Sequence, residues 1–171
     1  MKKTNRATEF SNDLRTSLDR HKNLSMKIGV DQWKKNWRPT GIRNESVDVV
    51  GLRKDSSPLI LIEAELRRDD PLCNVLKIWQ WAKDGLIKKP FVLFQAFSKA
   101  YRGPKQGAEA RARFLADRML DDLGARAKYI PVPFKYDPRK GGKIGAGRRR
   151  YHAERLARAV IRRSRKLKLA R

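Results

Sequence analysis

The chain has 171 residues and 40% hydrophobic content, which is enough for about one domain with a single core. Its one cysteine, Cys73, excludes an intrachain disulfide and a thiolate zinc site. No apolar run approaches the roughly 18 residues of a membrane span and no apolar segment follows the basic N-terminus, so we expect a soluble, cytoplasmic protein with no membrane partner, nucleoid-associated if its source is prokaryotic.

Basic residues dominate the charged side chains. Lys and Arg number 42 against 18 Asp and Glu, which gives a net charge of +24 at pH 7. Such an excess favours binding to phosphates, because neutralising them releases condensed counterions. Nucleic acid is therefore the expected partner, with DNA ahead of RNA.

The N-terminal third begins with a predicted helix. Residues 5–22 carry apolar side chains three and four positions apart, with Glu9 near the start. Residues 31–46 are basic and rich in turn formers, and Trp33 and Trp37 lie four positions apart. This second pattern is typical of either a helical turn or a loop.

Apolar, β-branched runs predict two neighbouring strands at 47–52 and 59–66, joined by a polar turn. A helix over about 71–84 follows, with Asp70 as its N-cap and Pro71 at its first position. A strand with carboxylates in its interior is unusual, because an unpaired buried charge is costly.

The rest of the core alternates between strand and helix. Residues 91–98 form a continuous apolar run, which predicts a strand covered on both faces, and 106–123 predict a helix. Residues 127–134 predict an edge strand, because their prolines cannot donate to a ladder. This order predicts an α/β fold: a central mixed sheet of about four or five strands flanked by helices on both faces.

The C-terminal segment has its own composition. Residues 138–171 hold 14 Lys and Arg against one acid, Glu154, and combine a Gly-rich linker with a cationic amphipathic helix over 151–169. The helix is either an electrostatic arm outside the core or packs on the core through its apolar face. Its predicted contacts with nucleic acid are Arg148, Arg149, Arg150, Arg158 and Arg162.

Three acids share one part of the predicted sheet. Side chains alternate along a strand, so Glu63 and Glu65 share one side with Arg67, and Asp48 comes alongside them if the two strands pair. Mutual repulsion would raise their pKa values unless a cation neutralises them. Oxygen-only ligation suits Mg²⁺ or Mn²⁺, so Asp48, Glu63 and Glu65 are the predicted metal ligands.

The stretches "VDVVG" and "IEAEL" resemble the motifs of the PD-(D/E)XK, or restriction-endonuclease-like, nuclease superfamily. That pattern has an aspartate on one strand, then a carboxylate, a spacer residue and a lysine on the next. The resemblance covers about residues 45–98 and places Asp48, Glu63 and Glu65 at the catalytic positions. It implies an αβββαβ core. Val47 replaces the usual proline, and Glu65 stands where lysine is usual.

Lys77 is the candidate replacement for the motif lysine, because some members of the family carry that lysine on the following helix. Helical periodicity instead points Lys77 away from the apolar stripe and into solvent, so both roles stay open. Arg67 either holds the scissile phosphate or pairs with Glu65. The auxiliary candidates, each with a structural alternative as a surface charge, an ion pair or a backbone hydrogen bond, are Glu9, Glu45, Arg67 and Gln95.

These residues predict a Mg²⁺-dependent DNA endonuclease, with a nuclease-like core over 1–137 and the basic segment over 138–171. The alternative is a non-catalytic, basic nucleic-acid-binding or assembly protein on a degenerate nuclease fold, which the absence of the motif lysine favours. Sequence-specific cleavage of both DNA strands would most naturally need a homodimer with two active sites, and a monomer that nicks one strand is the alternative.

Overall fold

A computed structural model describes residues 6–66, 71–101, 107–136 and 146–167 of the chain. Within these residues there are five strands: β1 (Gln32–Trp37), β2 (Val47–Leu52), β3 (Pro58–Glu65), β4 (Phe91–Phe97) and β5 (Ala127–Pro133). There are also five α-helices: α1 (Arg6–Arg20), α2 (Lys22–Lys27), α3 (Leu72–Lys83), α4 (Ala108–Leu123) and α5 (Ala146–Lys166). The predicted N-cap, Asp70, and the linker 138–145 lie outside the described residues.

The strands form one mixed, open sheet in the order β1-β2-β3-β4-β5. The pairs β1/β2 and β2/β3 are antiparallel, whereas β3/β4 and β4/β5 are parallel. Parallel neighbours need a crossover, and α3 and α4 supply the two crossovers. The predicted α/β class, with a mixed sheet between helices and β5 at an edge, is confirmed.

Each face of the sheet has its own hydrophobic core. On one face, Ile62 and its neighbours pack against α1 and α5; on the other, Leu61 and its neighbours pack against α3 and α4. Strand β4 is buried along its whole length, as its continuous apolar sequence predicts. The alternation of side chains along β3 therefore decides which helices its two glutamates meet.

Strand β1 corrects the prediction of a helical turn or loop around Trp33 and Trp37. Only Trp33 is buried in this strand, so no alternating pattern announces it. Pairing with β2 makes the strand, and Trp33 lies opposite Gly51, where the absence of a Cβ leaves room for the indole ring. Trp33 is 4% exposed and donates to Ser25 Oγ at 2.9 Å, so its ring is part of the core.

Helix α5 belongs to the folded core. It begins at Ala146, before the predicted start, and buries Leu156 and Val160 in the same cluster as Phe10 of α1. Arg149 of α5 forms ion pairs with Glu9 and Asp13 of α1, which stabilise the contact between the two helices. The sequence left two alternatives for the C-terminal helix, and the structure shows the one in which the helix packs on the core. The prediction of an electrostatic arm outside the core is therefore wrong for α5.

Within the described residues, none of the helices combines the length and apolarity that crossing a membrane requires.

Candidate active site

The three predicted acids lie on one face of the sheet. Val49 pairs with Ile62 in antiparallel register, which puts Asp48 beside Glu63 at the next position. Glu63 and Glu65 lie two and four positions after Leu61 on the strand and share its face, so they face α3 and α4. They lie at the carboxyl end of β3, beside the parallel strand β4, where open α/β sheets place their ligands.

Asp48 is held by the strand next to its own. Its Oδ2 atom accepts a hydrogen bond from the backbone N–H of Ala64 at 2.8 Å. Ala64 is the residue between the two glutamates, so this bond fixes Asp48 against the centre of the second motif. Asp48 and Ala64 are half-buried, whereas both glutamates are buried.

Lys77 reaches into this acid cluster from α3. Its Nζ atom lies 2.7 Å from Glu63 Oε1, and the side chains of Lys77 and Glu63 are only 8% and 2% exposed. The same ammonium donates to the backbone oxygen of Ser46 at 2.6 Å and to Asn74 Oδ1 at 2.7 Å. Three oxygen atoms therefore lie within 2.7 Å of this ammonium, and the alternative of a solvated surface lysine is wrong.

The apolar spacing of α3 did not predict this position of Lys77, because the buried face of the helix is broader than its apolar stripe. The apolar stripe includes Leu72 and Trp79, and the structure leaves both of them only half-buried. The buried positions of α3 are Asn74, Val75, Lys77, Ile78, Trp81 and Ala82. Two polar residues, Asn74 and Lys77, thus lie on the face that meets the sheet, one helical turn apart.

Glu65 occupies the position of the motif lysine and is held by two amides. It is 1% exposed, and its Oε1 atom accepts from Asn74 Nδ2 and from Gln95 Nε2, both at 2.7 Å. Asn74 therefore bridges the two charges, with its amide nitrogen on Glu65 and its amide oxygen on Lys77. This bridge fixes the orientation of the amide and the position of the ammonium.

Gln95 both lines the cluster and satisfies a backbone group. Besides Glu65, its Nε2 atom donates to the backbone oxygen of Pro71 at 2.8 Å, and its Oε1 atom accepts from the Tyr129 hydroxyl at 2.8 Å. Burial raises the pKa of Tyr129 well above its usual range, so this hydroxyl stays a donor. The amide of Gln95 is thus locked between β5 and the start of α3.

The electrostatics single out Glu63. Burial is the largest cause that raises the pKa of Glu63 well above its ordinary value, and the neighbouring charge of Asp48 raises it further. The ammonium of Lys77 acts in the opposite direction. One cation therefore compensates a buried carboxylate that also feels two other acids, Asp48 and Glu65.

The auxiliary candidates separate in space. Glu9 lies on α1, on the opposite face of the sheet, where its Oε2 atom accepts from Arg149 Nη1 at 2.7 Å; it is not part of the acid cluster. Glu45 is an exposed loop residue next to Ser46. Arg67 lies outside the described residues.

Sequence reasoning missed three members of the site: Ser46, Asn74 and Tyr129. A signal existed for Asn74, which precedes Lys77 by three positions on a predicted helix and so shares its face. Nothing in the sequence marks Ser46, because it contributes only a backbone oxygen. Tyr129 enters through the pairing of β4 with β5.

Mg²⁺ is the predicted metal, and its predicted ligands are the carboxylates of Asp48, Glu63 and Glu65. Among the described residues there is no group of three His, Cys, Asp or Glu side chains arranged to hold a metal ion. Mg²⁺, however, commonly uses one or two carboxylates and completes its shell with water and phosphate oxygens. Asp48 and Glu63 fit such a pair. For Glu65, the third predicted ligand, Asn74 and Gln95 already donate to the Oε1 atom.

The predicted nucleic-acid contacts divide into two groups. Arg148, Arg150, Arg158 and Arg162 are exposed on α5. Arg149 is instead half-buried and bonded to Glu9 and Asp13, so it stabilises the contact between α1 and α5.

No family model, curated protein or solved structure matches this chain.

Proposed function

We propose that the protein is a metal-dependent phosphodiesterase that cleaves DNA, with Asp48 and Glu63 as the metal ligands and Lys77 as the catalytic cation. One observation carries this proposal: Lys77 Nζ lies 2.7 Å from Glu63 Oε1, although the two residues are on different elements. The carboxylates and the lysine that the nuclease motif requires thus come together, with the lysine supplied by α3.

The order of elements supports the same family. Apart from the short helix α2, the chain from α1 to β4 follows the order αβββαβ of the restriction-endonuclease-like core. In addition, β1 is the third consecutive strand that this core requires. A shared order of elements raises the expectation of a function without establishing it, so the chemistry of the residues carries the argument.

A bound Mg²⁺ would supply an activated water and neutralise charge that develops on the phosphate oxygens. The chain's own residues prepare the site for such an ion. Ala64 N–H fixes Asp48, and Lys77 fixes Glu63. Because the cluster is largely buried, the Lys77 charge acts at low dielectric and stabilises a neighbouring phosphate more than it would in water.

The test is plasmid cleavage with Mg²⁺. We expect the parent to convert supercoiled DNA, and Asp48→Asn and Glu63→Gln to lose at least about 10²-fold in rate. Asp121→Asn is the matched control, since it removes one exposed carboxylate of α4 that belongs to no candidate site and should cleave at the parental rate. A Glu63→Gln variant that cleaves like the parent would contradict the proposal.

Metal binding provides a second readout that does not need catalysis. Titration calorimetry with Mn²⁺ should show one site in the parent and in Asp121→Asn, and none in Asp48→Asn or Glu63→Gln. Mn²⁺ shares the oxygen-rich chemistry of Mg²⁺. Equal Mn²⁺ affinity in all four proteins would show that these carboxylates do not hold the metal.

A second candidate function is nucleic-acid binding without cleavage. It is favoured by the contacts that Lys77 already makes within the protein, with Glu63, Asn74 and Ser46. Buried polar groups that contact one another in this way can be purely structural. Tight DNA binding with no metal-dependent cleavage in the plasmid assay would select this function.

A further inference from the structure

A basic groove lies between α5 and the end of β5, on the sheet face that α1 and α5 cover. We use this name for the concavity of about 950 Å³ bounded by residues 132–135 and by α5. Its floor is apolar and includes Leu156 and Ile161. The cations along its walls are Lys135, Arg155, Arg158, Arg162, Arg163 and Arg165.

Among the residues that the structure describes, those that line the groove include no acid. At its border, Glu154 accepts from Arg158 and contacts His21, and Arg163 is bonded to the backbone oxygen of Pro131. Arg155 and Arg162 are exposed and, within the part of the chain that the structure describes, neither forms an ion pair with a carboxylate. They are therefore available to a ligand that carries negative charge.

The groove continues towards the end of the sheet. A second hollow, of about 520 Å³, shares Lys135, Tyr151 and Arg155 with it and adds Lys99 and Arg148. Burial lowers the pKa of His152, and the charges of Arg148 and Arg155 lower it further, which reflects the density of cations here. The helix from Arg148 to Arg165 is about 26 Å long.

An aromatic side chain stands among these cations. Tyr151 is 56% exposed, and the guanidinium carbon of Arg155 lies 5.7 Å from its ring centre. Alternating cations and exposed aromatic rings are what single-stranded nucleic acid needs, because phosphates take the cations and bases stack on the rings. A duplex hides its bases, so it would use the arginines but not the face of Tyr151.

We propose that the basic groove binds a single-stranded segment of nucleic acid, with its phosphates on Arg155 and Arg162 and a base stacked on Tyr151. At the stacked spacing of ~3.4 Å per phosphate, the groove holds at most about eight nucleotides. This site lies on the other face of the sheet from Glu63 and does not depend on the proposed hydrolysis. The two share only the class of partner.

The basic groove and the acid cluster reach the same end of the sheet. Lys99, in the second hollow, lies two residues after the end of β4, and the N–H of its neighbour Ser98 donates to the backbone oxygen of Glu65 at 3.0 Å. One end of the groove is therefore close to the carboxyl end of β3.

Fluorescence anisotropy with the full chain and a labelled oligothymidylate of about eight nucleotides tests this binding, with a chelator present and no divalent metal. The double variant Arg155→Ala/Arg162→Ala should reduce the magnitude of the slope of log affinity against log salt by about 1.4, because each of the two lost phosphate contacts contributes about 0.7. The matched control, Arg111→Ala/Arg118→Ala, removes the same charge from exposed positions of α4 and should leave the slope unchanged.

The tyrosine distinguishes single strand from duplex. Tyr151→Ala should weaken oligothymidylate binding about tenfold, Tyr151→Phe should retain it, and neither should affect a duplex of equal length. Equal losses in the two arginine double variants, or no effect of Tyr151→Ala, would overturn the proposal. Tighter binding of the duplex than of the single strand would also overturn it. Because no metal is present, failure of the nuclease proposal leaves these outcomes unchanged.

Discussion

Replacing Lys77 by methionine removes the cation of the acid cluster and keeps an unbranched side chain that is one atom shorter. Glu63 then loses its partner at 2.7 Å and stays buried, at 2% exposure. Breaking a buried ion pair by removing one partner costs about 3–5 kcal/mol. We therefore expect Lys77→Met to lose about that much free energy of unfolding at neutral pH, measured by urea denaturation.

The loss should depend on pH in a defined direction. The pKa of Glu63 is already raised by burial and by Asp48, and removal of Lys77 takes away the charge that lowers it. A carboxyl whose pKa is higher in the folded state stabilises the fold below its unfolded pKa of about 4.3, and this stabilisation is lost as pH rises through the folded pKa. The difference between parent and variant should therefore shrink at acidic pH.

Lys83→Met is the matched control, because Lys83 also belongs to α3 and also pairs with a carboxylate, Asp122, at 3.0 Å. That pair is exposed, so its removal should change stability little. The double variant Lys77→Met/Glu63→Gln should recover part of the loss, since it leaves no unpaired carboxylate. A Lys77→Met variant as stable as Lys83→Met across pH would refute the buried ion pair.

Two further predictions concern packing. Gly51→Ala places a Cβ 2.8 Å from the Trp33 ring and 2.9 Å from Val30, so it should cost about 1–3 kcal/mol in urea denaturation, whereas Gly147→Ala meets no atom within 4 Å and should cost nothing. Deleting residues 146–171 removes several buried side chains, each worth about 1.5–3 kcal/mol, from a fold of about 5–15 kcal/mol in total. The truncated chain should lose cooperative thermal unfolding by circular dichroism; a folded, truncated protein would show that α5 is dispensable.

The sequence by itself determined most of the secondary structure. Strands β2 and β3 follow from β-branched runs, α3 from its apolar spacing, and β4 from an uninterrupted apolar stretch, because these signals depend on local periodicity and burial. The alternation along β3 also predicted that Glu63 and Glu65 share a face. Strand β1 escaped prediction because one buried residue does not make a period.

Pairing between distant segments decided the rest. Whether the apolar face of α5 is covered depends on α1 and the sheet, which no local pattern of α5 specifies. In the same way, a helical wheel of α3 predicts a solvent-facing Lys77, because it depends only on the positions of the apolar residues in the helix. It contains no information about the buried acids of the sheet beneath the helix. A buried charge is stable only with its partners. Of these, Glu63 and Ser46 come from two other parts of the chain, and Asn74 comes from the adjacent turn of the same helix. Only the tertiary structure brings those oxygens to one ammonium.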